Sequence, residues 1–506
     1  MYTRREFLRR SCAAAGVLAA PGLLVRGALT AAEGASPRPN ILFIMTDQQF
    51  ADAMSCRMGA KYIRTPAMDS LAEGGAMFSR AYSPNPLCMP ARGSIFTGRY
   101  PHETGVTHNA GAKVDTNDFV CMGTYFKRAG YETAYFGKWH LFMATKDVAA
   151  HGFERFGDAK DGAGPDEHVA NGFVKFLSDR SGKPFLAVLS FLNPHNICEF
   201  SRDQKLNCGS VGETPPPEKC PPVPANLAPP TNETDTMTVL RKYFHANRLF
   251  PVGDFSPDKW RQLRWGYYRL IEKVDALIGQ VLDAVRKAGI EENTAVIFTA
   301  DHGECAGAHG FNQKTVFYDE SSRVPMIVCQ KGKTVKSVCD KLVNTGVDIL
   351  PTMMDFAGIA KPPKLTGLSL KPLATGEQPG QWRDHVVVED DLAQAGAIDG
   401  FRPAAQGRMV RTDRYKYCIY DKGTRREALF DIQADPLETA NLAGDPAHRQ
   451  TVLDHRKILA DFAARHNDAT AKAMLAADVP PRPFTPGEPG AAKDTAAGKA
   501  GKKARK

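Results

Sequence analysis

Short apolar runs that alternate with helical stretches constrain the fold of this chain more than any other feature of its 506 residues. A run without polar interruption is typical of a strand that is covered on both faces of a parallel sheet. A long helix is predicted from Pro257 to Ala288, because Ser256 can cap its start and Gly289 can end it. The pattern predicts an α/β fold in which helices sandwich a large, mostly parallel sheet. The predicted strands of this sheet are residues 40–46, 133–136, 185–192 and 294–299.

The pattern changes after about residue 380, where the apolar segments become shorter and more closely spaced. Such spacing favours antiparallel strands. We therefore expect a larger α/β domain over residues 40–380 and a smaller C-terminal antiparallel-sheet subdomain over residues 381–479. The elements predicted in this subdomain are strands at 386–388, 408–411 and 415–420 and a helix at 446–465.

The two ends of the chain differ from its middle. Residues 1–35 carry adjacent arginines, Arg4 and Arg5, ahead of a short apolar run, which is typical of a bacterial twin-arginine export signal. A membrane anchor is the alternative, but Pro21 interrupts this short run, so we expect no stable membrane span. The signal predicts a periplasmic or extracellular protein that uses the twin-arginine export machinery. Residues 480–506 are rich in Pro, Gly, Ala and Lys and predict a disordered basic tail.

The net charge of +9 also comes from the two ends. The first 39 residues carry a net charge of +4 and the last 27 carry +5, so the segment between them is neutral. A nucleic-acid-binding body would need a basic surface of its own. We therefore expect no nucleic-acid partner.

Polar residues follow each predicted strand of the large sheet directly. Because ligands bind beyond the carboxyl ends of parallel strands, these side chains are expected to lie together. Each of them has a plainer interpretation as a solvated carboxylate, a surface lysine or a hydrogen-bonded histidine, but their joint position at strand ends favours a site. The two aspartates offer hard oxygen ligands for a divalent cation. The residues are Asp47, Lys138, His140, His195, Asp301 and His302.

A cysteine motif lies between the first two of these strands. Cys88, Pro90 and Arg92 are spaced as Cys-x-Pro-x-Arg, and Thr97-Gly98 follows. Prolines before the cysteine keep the chain out of a helix, and the apolar residues after it predict one. A helix N-terminus at this point would suit an anion. The alternative is a buried, inert structural cysteine.

This motif resembles the signature of the type I sulfatases, a branch of the alkaline phosphatase superfamily, and the resemblance extends over about residues 40–442. In that family the cysteine is oxidised to formylglycine, whose hydrate is the nucleophile. The resemblance implies a sulfatase that hydrolyses sulfate esters and a formylglycine-generating enzyme as a partner of Cys88. Together with export, it favours sulfated carbohydrates as substrates. Residues 40–380 would then be the catalytic sulfatase domain.

The resemblance also implies roles for single residues. Lys138 and Lys314 contact the sulfate oxygens, and Arg92 orients the hydrate. His195 or Lys314 protonates the leaving alcohol, and His140 takes the proton of the remaining hydroxyl.

The implied cation ligands are Asp47, Gln48, Asp301 and His302. Gln48 stands where the family often has a second acid, and His302 brings a nitrogen ligand. These two residues soften the ligand set. Calcium is the expected cation, with magnesium or manganese as the next alternatives.

Further residues are candidates for substrate contact. The segments expected to set specificity, 141–170 and 196–256, contain no motif that identifies the substrate. The proline-rich stretch 203–233 predicts a long surface excursion. The sequence leaves open whether Cys208 and Cys220, at either end of its proline-rich part, form a disulfide. The substrate-contact candidates are His108, Asn196, Glu199, His309 and Arg323.

Two other functions remain open at this point. A phosphonate monoester hydrolase or phosphodiesterase of the same superfamily resembles this chain in its Asp-Gln and Asp-His pairs. A catalytically silent, carbohydrate-binding relative would keep the fold and an unmodified Cys88.

Overall fold

A computed structural model describes residues 38–109, 118–157, 165–247, 249–392 and 404–476. The predicted export signal and basic tail lie outside these residues. The strands of the described part are β1 (Asn40–Asp47), β2 (Ala76–Phe78), β3 (Ala81–Tyr82), β4 (Glu132–Gly137), β5 (Arg155–Phe156), β6 (Phe185–Pro194), β7 (Thr294–Ala300), β8 (Met326–Cys329), β9 (Ser337–Cys339), β10 (Val343–Asn344), β11 (Val386–Asp391), β12 (Gln406–Arg411), β13 (Tyr415–Tyr420) and β14 (Glu427–Asp431). They form an eight-stranded sheet in the order β5-β4-β6-β1-β7-β8-β2-β9 and a four-stranded sheet in the order β11-β12-β13-β14, and β3 pairs with β10.

The large sheet is mostly parallel, as predicted. Strand β1 lies between β6 and β7, and all three run in the same direction. Only the pairings of β8, with β7 and with β2, are antiparallel among the described strands of this sheet. Every residue of β1 and β6 is buried, which explains why these strands read as continuous apolar runs.

Helices cover both faces of this sheet. The helices are α1 (Ser55–Met58), α2 (Pro66–Gly74), α3 (Cys88–Thr97), α4 (Pro101–Thr104), α5 (Met122–Arg128), α6 (Val148–His151), α7 (Glu167–Asp179), α8 (Ile197–Phe200), α9 (Asp235–Ala246), α10 (Pro257–Lys287), α11 (Asp319–Ser322), α12 (Thr345–Phe356), α13 (Lys371–Ala374), α14 (Arg449–His466) and α15 (Ala469–Leu475). Leu42 and Ile44 point to one face, where they join the core formed with the long helix α10, while Ile41 and Phe43 point to the other face and pack with α3 and α12.

The C-terminal sheet is antiparallel throughout its four strands. Alternate residues of β11 face opposite sides. Val386 and Val388 pack with Phe317 and Tyr318, whereas Val387 packs in the cluster that contains helix α14. The α/β fold class with a smaller antiparallel sheet is therefore confirmed, and the boundaries at residues 380 and 479 stay predictions.

The structure gives the outcome of several local expectations. The segment 203–233 is mostly exposed, as predicted for a surface excursion, although it buries Cys208 and Cys220. These two cysteines are free thiols, so the disulfide considered between them does not form in this structure. Helix α3 begins at Cys88 itself, with Pro90 tolerated in its first turn. Among the described helices, none combines the length and the apolar character needed to cross a bilayer.

Candidate active site

Adjacent parallel strands end at one edge of the large sheet. Asp47, the last residue of β1, pairs with Pro194 at the end of β6, and Thr46 pairs with Ala300 at the end of β7. Strand β4 ends at Gly137 on the far side of β6. The polar residues that follow these strands are thereby brought to one place.

Cys88 lies at the centre of this group and is 1% exposed. Its Sγ atom lies 3.1 Å from His302 Nε2, 3.4 Å from Lys314 Nζ and 3.8 Å from Lys138 Nζ. Burial opposes ionisation of the thiol, but the two ammonium groups and His302 outweigh it and hold the pKa of Cys88 well below its usual range. A negative charge at this atom is therefore strongly stabilised.

The rest of the motif explains the local backbone. Helix α3 presents its N-terminus at Cys88 and ends at Thr97. Gly98 then takes a left-handed conformation with φ of 68°, and its N–H donates to the carbonyl of Ser94 over 2.7 Å. Glycine adopts this conformation with little strain. The Thr-Gly part of the motif thus ends the helix that carries the cysteine.

Arg92 bridges the two buried aspartates. Its Nη2 donates to Asp47 Oδ2 over 2.9 Å and its Nε donates to Asp301 Oδ2 over 2.8 Å. Its Nη1 donates to Ser190 Oγ over 2.7 Å and to the carbonyl of Lys138 over 3.1 Å. The described hydrogen bonds of Arg92 therefore fix the carboxylates, and its role in orienting the hydrate stays a prediction.

The other oxygens of these aspartates face His302. The distance from His302 Nε2 is 3.5 Å to Asp301 Oδ1 and 3.8 Å to Asp47 Oδ1. His302 Nδ1 lies 3.0 Å from the carbonyl of Gly303, which directs Nε2 into the site. One potential ligand atom from each of these three residues and from Cys88 lies within 4.8 Å of the others. Two carboxylates and an imidazole in this arrangement fit a divalent cation.

The charges of this group also favour a cation. Burial and the neighbouring Asp47 raise the pKa of Asp301 to about 6. Burial also opposes ionisation of Asp47, but Lys138 and nearby cationic groups hold its pKa well below the usual range. The two carboxylates thus repel one another in a site without water access. A cation at Asp47 Oδ1 and Asp301 Oδ1 would relieve that repulsion.

Gln48 lies beside this group with its amide held at both ends. Its Nε2 donates to Glu304 Oε2 over 2.6 Å, and its Oε1 accepts from Lys314 Nζ over 2.6 Å. Glu304 was not among the residues predicted for the site. The available sequence signal was an acid two positions after His302, at the end of a predicted strand.

The two other histidines also reach the cysteine. Interaction with His140 helps to lower the pKa of Cys88, and interaction with Cys88 opposes the lowering of the pKa of His195. Burial together with the charges of Lys314 and Lys138 lowers the pKa of His195 to about 4, so this ring is neutral in the substrate-free site.

Asp166 positions the turn that carries His195. Its two carboxylate oxygens accept the backbone N–H groups of Leu192 over 2.6 Å and Asn193 over 2.8 Å. Asp166 is buried and follows a segment outside the described residues. Sequence reasoning missed it, because nothing in the local pattern distinguishes it from a solvated acid.

The substrate-contact candidates are spread over three places. Asn196 Nδ2 donates to Glu199 Oε2 over 3.1 Å next to His195, so these two lie beside the site. His108 Nε2 lies 3.4 Å from Asp391 Oδ2 in β11. Their contact with a substrate stays a prediction.

His309 and Arg323 contact other residues. His309 is buried, stacks on Tyr318 with ring centres 3.7 Å apart, and lies 3.1 Å from Asn226 Nδ2. Arg323 pairs with Asp52 and Asp319. No hydrogen bond or ion pair described in residues 38–476 joins either side chain to Cys88.

Comparison with known proteins agrees with this geometry. The family model described as sulfatase matches residues 39–359, and a model described as N-sulphoglucosamine sulphohydrolase, C-terminal, matches residues 307–465. The chain is 30% identical over 476 residues to the Delta 4,5-hexuronate-2-O-sulfatase of Bacteroides thetaiotaomicron, and this match covers 91% of the chain and 96% of that protein.

Solved structures extend the comparison. A 2-O GAG sulfatase matches with a TM-score of 0.74 and 29% identity, over 86% of this chain and 94% of that one. A phosphonate monoester hydrolase from Silicibacter pomeroyi matches with a TM-score of 0.70 and 25% identity, over 85% and 96% of the two chains. Because the sulfatase model covers more than half of the residues, the chain belongs to the sulfatase family of the alkaline phosphatase superfamily and is a sulfuric ester hydrolase.

Proposed function

We propose that this enzyme removes sulfate from sulfated carbohydrates, using a formylglycine made from Cys88 and one divalent cation. The observation that carries the proposal is the environment of Cys88. Its sulfur lies within 3.8 Å of Lys138 Nζ, Lys314 Nζ and His302 Nε2. Cys88 itself is buried and begins helix α3. Such a group of donors matches the anionic head of a sulfate ester and its more highly charged transition state.

The carbohydrate part rests on the relatives. One is named for hexuronate, a sugar acid, and a solved neighbour is described as a GAG sulfatase. The predicted export signal supports the same substrate class, because polymeric sulfated saccharides are met outside the cytoplasm. We propose a periplasmic or extracellular location for the same reason.

Formylglycine would supply a hydrated aldehyde whose hydroxyl attacks the sulfur of the ester. Lys138 and Lys314 bind the non-bridging oxygens of the sulfate group and hold it in line with that hydroxyl. His140 accepts a proton at the modified side chain, and His195 donates one to the leaving alcohol. Burial still opposes protonation of His195, but once the sulfate pairs with the two lysines their charges depress its pKa less, which favours the protonated ring.

Asp47, Asp301 and His302 would hold the cation, with the Gln48 amide oxygen as a fourth ligand. When bound, the cation adds positive charge beside the sulfate oxygens. The oxygen ligands from Asp47, Asp301 and Gln48 favour calcium, with magnesium or manganese as alternatives.

Mass spectrometry of the tryptic peptide Ala81–Arg92 tests the modification. We expect loss of sulfur and gain of an aldehyde oxygen at Cys88 when the enzyme is produced with a formylglycine-generating enzyme. The Cys88→Ala variant should lack turnover of an aryl sulfate under the same conditions. An active enzyme in which Cys88 is fully alkylated by a thiol reagent would refute the proposal.

A phosphonate monoester hydrolase is the second candidate, because a solved member shares the fold. A sulfate monoester and a phosphonate monoester each carry one negative charge near neutral pH, so Lys138 and Lys314 could bind either. The ratio of kcat/KM for matched aryl sulfate and aryl phosphonate esters separates the two. A higher kcat/KM on the phosphonate than on every sulfate tested, including sulfated saccharides, would favour the second candidate.

A further inference from the structure

The orientation of the Gln48 amide is determined by two partners of opposite hydrogen-bonding character. Gln48 Nε2 donates to Glu304 Oε2 over 2.6 Å. An ammonium group only donates, so Lys314 Nζ must face the amide oxygen, also at 2.6 Å. Gln48 is fully buried, so water does not compete for either end. The amide oxygen is therefore the end that faces the site.

Glu304 is in turn fixed by the backbone. Its Oε1 accepts the N–H of Ala306 over 2.9 Å and the N–H of Gln313 over 2.6 Å, and the side chain is 1% exposed. These two bonds close the loop that leads to Lys314. One carboxylate oxygen is thus used by the loop, and the other remains directed at Gln48.

We infer that Glu304 is a positioning residue that allows a neutral glutamine to serve as a cation ligand, by holding the Gln48 oxygen on the side of Lys314 and Cys88. The inference rests on the cation site proposed above. It explains why residue 48 need not be an acid in this chain. A carboxylate at position 48 would lie against the carboxylate of Glu304, because the two side chains are already in hydrogen-bonding contact. Positions 48 and 304 therefore require one amide and one carboxylate side chain between them.

Two isosteric substitutions test this pair. Gln48→Glu places two carboxylates against each other, and Glu304→Gln removes the partner that accepts from the amide nitrogen and leaves Lys314 alone to orient the amide. The double variant Gln48→Glu/Glu304→Gln exchanges the two groups, so that an amide N–H₂ again meets a carboxylate. In Glu304→Gln the new amide oxygen can still accept the N–H groups of Ala306 and Gln313. A surface control, Glu73→Gln, changes the same group at a side chain that is 64% exposed.

The readout is the dissociation constant of Ca²⁺ for the metal-free enzyme, measured by isothermal titration calorimetry, with Tm recorded for every variant. Each single substitution should weaken Ca²⁺ binding by roughly tenfold to a hundredfold, as expected for loss of a group that orients a ligand. The double variant should bind nearly as tightly as the unaltered enzyme. A purely structural role of Glu304 would lower Tm without this recovery of affinity.

Additive losses in the double variant, or unaltered affinity in Glu304→Gln, would overturn the inference. If Glu304→Gln does not fold, Gln48→Glu decides by the sign of its effect. An added carboxylate would ordinarily tighten Ca²⁺ binding, so tighter binding overturns the inference and weaker binding supports it. Absence of Ca²⁺, Mg²⁺ and Mn²⁺ binding to the unaltered enzyme would overturn the proposed cation site itself, which a failure of the pair alone would leave standing.

Discussion

Arg92 Nε lies 2.8 Å from Asp301 Oδ2, and neither side chain is exposed to solvent. The same guanidinium also pairs with Asp47 at 2.9 Å. Arg92 thus pairs with the Oδ2 atoms of both acids, together with Lys138 at Asp47, and the Oδ1 atoms are the proposed ligands of the cation. Arg92 is the structural support of the proposed cation site.

Replacement of this arginine should be costly for folding. Arg92→Met keeps most of the side-chain volume but leaves two buried carboxylates short of a partner, so we expect a loss of about 3–5 kcal/mol in the free energy of unfolding. Urea denaturation measures it. Arg286→Met, at a side chain that is 60% exposed, is the control and should stay within about 0.5 kcal/mol of the unaltered enzyme. Equal stability of both variants would contradict the support role.

Removal of one acid should remove the cation. Asp301→Asn keeps the shape of the side chain and deletes a charge at the proposed ligand oxygen, so both bound cation and sulfatase activity should fall. Elemental analysis of the dialysed protein gives the cation content per chain. The exposed Asp283→Asn variant should retain both. A full complement of cation in Asp301→Asn would mean that the ion binds elsewhere.

The proposed acid role of His195 predicts a dependence on the leaving group. A poor alcohol leaving group needs a proton in the transition state, whereas an activated phenol does not. His195→Ala should therefore lose on the order of a hundredfold or more in kcat on an alkyl or saccharide sulfate and much less on nitrophenyl sulfate. The ratio of the two losses is the measurement. Equal losses on both substrates would assign the proton donation to another group, such as Lys314.

A histidine outside the site should make stability depend on pH. His102 Nδ1 lies 2.6 Å from Glu389 Oε1, and Nε2 lies 3.0 Å from the carbonyl of His466, so the ring joins α4 to the C-terminal sheet and to α14. Burial opposes protonation, but Glu389 outweighs it and raises the pKa of His102 above 6.5. Stabilisation by this charge is complete below the unfolded-state pKa and is lost as pH rises through the raised folded-state value.

Urea denaturation between about pH 6 and pH 9 tests this link. The free energy of unfolding should fall with rising pH in the unaltered enzyme and less steeply in His102→Asn. His448→Asn, which removes a histidine from a more exposed pair with Asp445, is the matched control. If the free energy of unfolding falls equally steeply with pH in the unaltered enzyme and in His102→Asn, the proposed contribution of His102 is wrong.

The parts of the fold that follow a regular period could be predicted from sequence. Strand β1 and helix α10 lie close to their expected bounds, because burial on both faces or along one face leaves a periodic pattern. Helix α12 was not predicted from the sequence, because Pro351 lies inside it.

Pro351 has no N–H group to donate, so the carbonyl of Val347, four residues earlier, lacks its usual helical partner. The backbone of Gly367 approaches that carbonyl so closely that a Cβ there would lie 1.7 Å from it.

The residues of the site differ in the same way in how far the sequence predicts them. Asp47 and Asp301 could be predicted, because a strand end is visible in the local pattern and parallel strands share an edge. Glu304 and Asp166 could not be assigned, because their roles depend on partners elsewhere in the chain. Glu304 meets Gln48 across 256 positions, and Asp166 binds N–H groups 26 and 27 residues away.

The burial of Cys88 determines when in the life of the protein it can be modified. At 1% exposure, and with its backbone in the first turn of a packed helix, the side chain offers no access to the active site of another enzyme. Oxidation to formylglycine would have to occur on the nascent or unfolded chain. A molecule that folded with its thiol intact would stay inactive until it unfolded again. The fraction of active enzyme would then be decided once, during biosynthesis, by the competition between oxidation and folding.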